Sequence, residues 1–365
     1  MSRKVLMSVV LAGGLVALAA CSSDGSTAVK KTLTSKPTSD GTVAKPGKAV
    51  DPASIPSAKS AGCSGAAASA TAGQTKVTTT SSGESRWYYQ DVPPAHNGTK
   101  PVPLVLDFHG YSEGADVHLQ MSGLTKFGAT KGFATLTPMG TGPVPRWDTT
   151  LGSKDLIFTG EMLDAAEKNL CIDTNRVYVT GLSNGAFMTS AVACAFSDRV
   201  AAVAPVAGVR NIEGCAPKRA VPIVTFHGTA DGYVSFNGGL GEKGLDLPAP
   251  DGSGKKLRDI ATPSQLAAGG KDSIPKIMEA WAKRNRCATG TKEQKVAADV
   301  FEVSYSCRPG SEAILYRVEG GGHTWPGSPF SQSIVSIVGP TTMNINADEI
   351  MWDFFTKHPL GVSKA

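Results

Sequence analysis

Residues 176–188, RVYVTGLSNGAFM, carry a strand, a tight turn and the start of a helix in one short run. Val177, Tyr178, Val179 and Thr180 are β-branched or aromatic, the composition of a buried strand. Gly181-Leu182-Ser183-Asn184-Gly185 fits G-x-S-x-G, and 186–196 (AFMTSAVACAF) reads as a helix of small residues. With 41 Gly and 33 Ser in 365 residues, about 0.4 such matches arise by chance, so the pattern alone is weak. Its setting is what discriminates. A strand entering and a helix leaving is the setting of a nucleophile elbow, where glycines avoid backbone collisions and a strained Ser presents its Oγ at a helix N-terminus. Ser183 is therefore the predicted nucleophile.

Working outward, strand-like runs occur at 86–92 (RWYYQDV), 104–108 (LVLDF), 133–137, 200–206, 221–226 and 314–318. Helical periodicity occupies 124–131, 156–170 (with Ser153 or Asp155 as cap), 276–285 and 347–357. Short apolar strands alternating with helices predict an α/β fold: a mostly parallel central sheet with helices on both faces. Strand order is not readable from the pattern.

A serine hydroxyl needs a base, and a His base needs an acid to fix its tautomer. On such folds the order along the chain is Ser, then acid, then His. After strand 221–226 comes His227-Gly228-Thr229-Ala230-Asp231, which places Asp231 in a loop past a buried strand. Asp198 is its nearest rival, in a helix–strand connection. Of six histidines, His96, His109 and His118 precede the serine, His227 precedes Asp231, and His358 lies past the last helix. His323 remains, in the glycine-rich loop GGGHTWPG (320–327), where an imidazole can be swung toward Ser183. The oxyanion hole calls for two backbone N–H groups, expected from Asn184 and from Tyr111 in the loop after LVLDF, with His109 organising that loop.

The chain begins with Arg3 and Lys4 and an apolar run too short to span a membrane, ending in Leu18-Ala19-Ala20-Cys21. It resembles a lipobox of bacterial lipoproteins, which implies a signal peptide over 1–20, lipidation at Cys21 and attachment to a membrane outside the cytoplasm. Residues 21–62, poor in apolar side chains and without an aromatic, are expected to be a disordered tether, leaving 63–360 as one catalytic domain. The formal charge of +5, or +3 without Arg3 and Lys4, is too mild and dispersed to suggest a nucleic-acid partner. Apart from Cys21 six cysteines remain, an even number that suggests disulfides in an exported chain, and none has the spacing of a zinc site, so no metal is expected. Cys287 and Cys307 end a predicted helix and a predicted strand (300–305) and should pair. The other four allow three connectivities, among them Cys194–Cys215 with Cys63–Cys171.

Together DFHGY, RVYVTGLSNGAFM, FHGTAD and GGGHTWPG resemble the polyhydroxybutyrate-depolymerase-like esterases, a group that includes the feruloyl esterases of carbohydrate esterase family one. The resemblance covers roughly 85–357. It implies an α/β-hydrolase fold, Ser183, Asp231 and His323 as triad, Tyr111 and Asn184 as oxyanion hole, and cofactor-free hydrolysis of carboxylic esters, from small molecules or a polymer. Ala186 stands where many relatives have a second Gly, and 238–273 is longer than usual, which reads as an idle surface insertion rather than a cover. A peptidase of related fold and a binding lipoprotein with a decayed site are the alternatives. Trp147 and Trp325 are expected to form an apolar wall beside the scissile ester.

Overall fold

The computed structural model describes residues 51–64, 72–262 and 272–361, all within the unit Pro46–Ala365. In chain order the strands are β1 (Gly73–Ser81), β2 (Glu84–Val92), β3 (Val102–Phe108), β4 (Ala134–Pro138), β5 (Ile172–Leu182), β6 (Ala202–Val206), β7 (Ile223–Gly228), β8 (Thr291–Ala297), β9 (Val300–Tyr305) and β10 (Ala313–Val318). The helices are α1 (Ala115–Ser122), α2 (Leu124–Lys131), α3 (Lys154–Asn169), α4 (Asn184–Ala195), the single turns α5 (Glu242–Leu245) and α6 (Leu257–Ile260), α7 (Ile274–Arg284), the short α8 (Pro329–Ser333) and α9 (Val335–Val338), and α10 (Ala347–Thr356).

One sheet runs in the order β1-β2-β4-β3-β5-β6-β7-β10-β9-β8. Its centre, from β4 to β10, is parallel throughout, and an antiparallel pair closes each side. The mostly parallel sheet is what the alternation of strands and helices predicts, and the topology is that of an α/β-hydrolase, as the resemblance implies.

β3 (VPLVLDF) and β6 (AVAPV) read as near-continuous apolar runs because both faces are covered. Successive side chains point to opposite faces, so Leu104, Leu106 and Phe108 of β3 and Val177 and Val179 of β5 enter one core, where α3, α4 and α7 contribute Met162, Met188 and Trp281. Val105 and Tyr178 point the other way, into a core with Met121, Leu124 and the α10 side chains Met351, Phe354 and Phe355. Tyr178 stacks on Phe355 with ring centres 4.5 Å apart.

Ser153 caps α3 by accepting the Leu156 N–H, as its sequence position predicts. The β1–β2 hairpin turns at Ser82-Gly83, both at positive φ, the geometry that matches strand twist.

The three disulfides are Cys63–Cys171, Cys194–Cys215 and Cys287–Cys307, so the expected pairing and the suggested connectivity both hold. The tether is shorter than expected at its C-terminal end. Within 51–62, Ser60 Oγ donates to Leu170 O, Ala58 N–H donates to Asp173, and Arg176 reaches Ile55 O. The reason is covalent as well as polar, because Cys63 pins this stretch to the start of β5. The signal peptide, Cys21 and the rest of the tether up to residue 50 lie outside the described residues.

Candidate active site

Ser183, Asp231, His323 and Tyr111 each lie in the loop past the C-terminal end of a parallel strand, where open α/β sheets gather their ligands. Ser183 follows β5 with φ 58° and ψ −116°, a strained conformation for a non-glycine residue. The strain is held by packing. A Cβ on Gly181 would lie 2.6 Å from the Phe108 carbonyl oxygen, and one on Gly185 would be driven into that same carbonyl. Ala186 is fully buried in α4 without such a conflict, so the departure from a second glycine is accommodated. The Ser183 hydroxyl has no protein hydrogen-bond partner among the described residues and sits at the N-terminus of α4.

Asp231 and His323 are brought together from β7 and β10, which pair in parallel. His323 Nδ1 lies 2.8 Å from Asp231 Oδ2, and Asp231 Oδ1 accepts the N–H groups of Tyr233 and Val234 at 2.8 and 3.0 Å. Burial pushes the Asp231 carboxyl up, but His323, His227 and the Tyr233 N–H outweigh it and hold Asp231 below the usual range. The ionised acid therefore fixes the Nδ1–H tautomer of His323, leaving Nε2 as the basic nitrogen.

Gly321 and Gly322, just before His323, serve close approach rather than motion. Ala230 N–H donates to Gly321 O, His323 N–H to Val338 O, and a Cβ on Gly321 would crowd Val318 at 2.7 Å. The loop expected to swing is thus tied on both sides. Tyr233 lays its ring 4.9 Å from the imidazole, a neighbour that carries no sequence signal.

His227 lies at the end of β7, next to its last residue Gly228, and places Nε2 3.3 Å from Asp231 Oδ2 and 2.9 Å from Val234 O. Burial keeps its pKa below the ordinary histidine value, and its Nδ1 has no partner among the described residues.

Tyr111 and Asn184 each leave a backbone N–H without a protein acceptor among the described residues. Their side chains are committed elsewhere. Tyr111 OH donates to Pro248 O at 2.7 Å, and Arg146 reaches Pro250 O at 3.3 Å. Segment 238–262 is therefore no idle insertion, because it packs on the loop that carries Tyr111 and on the loop that carries Trp147. Residues 263–271 of the insertion lie outside the described residues.

The expected aromatic wall is corrected. Trp147 is 3 % exposed, sends Nε1–H to His109 O and meets Phe108 edge-on at 5.1 Å. Trp325 is 1 % exposed, with Nε1–H on Asp348 and its ring edge-on to His118. Both satisfy their indole N–H inside the protein, which turns their faces into core rather than cleft. His109 organises its loop as expected: Nδ1 lies 2.6 Å from Gly110 O and Nε2 accepts the Gly140 N–H. Burial lowers it to about 4, which keeps it neutral.

Sequence comparison finds no family model that matches this chain. Feruloyl esterase B of Piromyces equi is 28% identical over 241 residues, 63% of this chain and 41% of that protein. Feruloyl esterase D of Neurospora crassa is 33% identical over 196 residues, 50% of this chain and 66% of that protein. Poly(3-hydroxyalkanoate) depolymerase C of Paucimonas lemoignei is 36% identical over 116 residues, 29% and 28% of the two chains. The chain thus spans about two fifths of the length of the Piromyces protein and less than two thirds of the others.

Proposed function

We propose that this chain, which is similar to feruloyl esterases and a poly(3-hydroxyalkanoate) depolymerase, is a serine esterase acting through an acyl-enzyme. One observation carries the reading: an acid–imidazole pair at 2.8 Å and a strained serine both stand past strand ends of the same sheet. In this mechanism Ser183 Oγ attacks the ester carbonyl while its proton passes to His323 Nε2. The carbonyl oxygen becomes an oxyanion, which the N–H groups of Asn184 and Tyr111 stabilise. Collapse expels the alcohol with the proton from His323, and water, deprotonated by the same imidazole, then releases the acid and restores Ser183. Asp231 stays ionised and holds His323 in its working tautomer.

The substrates we propose are feruloyl or other hydroxycinnamoyl and aryl esters, or esters of the polyhydroxyalkanoate type, in keeping with the names of the relatives. We also propose an extracytoplasmic location, with lipid attachment at Cys21. Three disulfides support an oxidising compartment.

Purified protein should hydrolyse chromogenic short-chain esters, and Ser183→Ala should abolish the turnover. A series of acetyl, hydroxycinnamoyl and 3-hydroxyalkanoate esters then ranks the acyl groups. Absence of ester hydrolysis by folded wild-type protein across the series would refute the reading.

A further inference from the structure

We propose that Glu113 and His118 are positioning residues for ester hydrolysis, holding the peptide between Gly110 and Tyr111 so that the Tyr111 N–H meets the developing oxyanion. The inference rests on the esterase reading above. Its ground is a buried polar cluster directly behind the loop that touches Ser183.

Gly110 is sandwiched between these two parts. A Cβ placed on it would lie 3.5 Å from the Cβ of Ser183 and 2.9 Å from Glu113 Oε2. The Gly110 N–H donates to that same carboxylate oxygen at 2.5 Å. The Gly110 carbonyl is held in turn by the Glu113 N–H at 3.3 Å and by His109 Nδ1 at 2.6 Å. A trans peptide points its C=O and its N–H in opposite directions. Fixing Gly110 O against His109 and Glu113 therefore aims the Tyr111 N–H the other way, where no protein acceptor among the described residues takes it.

Glu113 is held from behind. Its Oε1 lies 3.2 Å from His118 Nδ1, His118 Nε2 lies 2.6 Å from Asp107 Oδ1, and Ser122 Oγ donates to Asp107 Oδ2 at 2.6 Å. His118 and Asp107 are fully buried and the Glu113 side chain nearly so. With both ring nitrogens on carboxylates, His118 is an imidazolium. Burial opposes its charge, but Asp107 and Glu113 outweigh burial and raise it to about 10. Burial likewise pushes Glu113 up, while His118 and the Gly110 N–H hold it below the carboxylate range.

Two carboxylates and one imidazolium are costly to bury where an apolar core would serve stability as well. Here the cluster fixes the His109–Gly110 peptide through its N–H, and so sets the start of the next peptide, which carries the Tyr111 N–H; an oxyanion donor contributes only when it is aimed before the reaction. Ser112, at φ 60°, ties the far side of the same loop to Pro145 O at 2.8 Å.

The test compares kcat and KM for p-nitrophenyl acetate in wild type, Ser183→Ala, Glu113→Ala, Glu113→Gln and His118→Gln, each assayed well below its own measured Tm. Glu113→Ala and His118→Gln should lower kcat about 10- to 100-fold with KM changed less than about threefold, since a misaimed donor loses part of the 10²–10³ of an absent one. Glu113→Gln, which keeps one oxygen for the Gly110 N–H, should recover part of the loss. Wild-type turnover that vanishes in Ser183→Ala but stays within twofold in the folded Glu113 and His118 variants overturns the positioning role and leaves the esterase reading intact. A KM rise at unchanged kcat also overturns it. So does failure of Glu113→Gln to fold, because the cluster would then be holding the fold rather than the loop. No turnover by wild type sinks the esterase reading itself.

Discussion

The Asn184 side chain grips both backbone groups of Trp147: Oδ1 accepts the Trp147 N–H at 2.7 Å and Nδ2 donates to Trp147 O at 3.2 Å. The residue after the candidate nucleophile thus ties α4 to the loop whose Pro145 O and Trp147 Nε1–H brace the His109–Ser112 turn. One residue therefore leaves its backbone N–H without a protein acceptor among the described residues and uses its side chain to fix the neighbouring loop.

Asn184→Ala keeps the backbone N–H and removes both side-chain bonds. At about 1 kcal/mol for each bond, urea denaturation should show a loss of about 1–3 kcal/mol. Turnover should fall about tenfold, because the oxyanion loop loses a brace. Asn184→Asp keeps the acceptor alone and should lose roughly half as much stability. Unchanged stability in Asn184→Ala would show that the loop is held without this clamp.

Ser183→Ala and His323→Ala should each lower kcat by several orders of magnitude with far smaller changes in KM. The double variant should be little worse, since the groups act as one unit. Asp231→Asn should be damaging but milder. His227 also approaches Asp231, so the assignment of the base is decided by comparison. Near-normal turnover in His323→Ala together with loss in His227→Ala would transfer the role to His227.

Stability should fall as pH rises, for two buried groups with raised pKa values. Burial lifts the Asp348 carboxyl to about 7, with Asp107 adding to the rise and the Trp325 N–H opposing it. An acid that keeps its proton longer in the folded state loses stability as pH rises from about 4, its unfolded value, to about 7. His118 contributes stability that is complete below about 6.5 and lost as pH rises through about 10. Asp348→Asn retains an oxygen for Trp325 and removes the charge. It should raise Tm at pH 8, by a stabilisation on the order of a few kcal/mol, and leave Tm nearly unchanged at pH 4. A lower Tm at pH 8 would contradict this reading of the site.

Loop closure ranks the disulfides. Cys63–Cys171 spans 108 residues and Cys287–Cys307 spans 20. In the chain-entropy model these contribute about 4.7 and about 3 kcal/mol, so a Cys63→Ser/Cys171→Ser variant should lose more stability than a Cys287→Ser/Cys307→Ser variant. Equilibrium denaturation of the two double variants checks the order, and non-reducing peptide mapping checks the pairs.

Mature protein beginning at Cys21 should partition with membranes, because a diacylglycerol supplies the two chains that stable attachment needs. Cys21→Ser should shift the protein to the soluble fraction or block its maturation. Unchanged membrane association would exclude the lipid as the anchor.

The α/β class and the strands 104–108 and 200–206 were legible because residues buried on both sheet faces must be apolar whatever their neighbours. The G-x-S-x-G turn was legible for a related reason: between β5 and α4 only glycine fits against the Phe108 carbonyl. The edge strands β1 and β8 were not, since their exposed faces accept Thr, Lys and Gln and leave no periodic signal. For the candidate site, G-x-S-x-G in its strand–helix setting led to Ser183, and chain order together with loops past strands led to Asp231 and His323, because strand ends fix where such groups can stand. The burial of Trp147 and Trp325, the approach of His227 to Asp231, the packing of 238–262 on Tyr111, and the Asp107–His118–Glu113 cluster were decided only by the tertiary structure. Which way a side chain faces, and which charges it meets there, depends on elements far apart in the chain that only the closed sheet brings into contact.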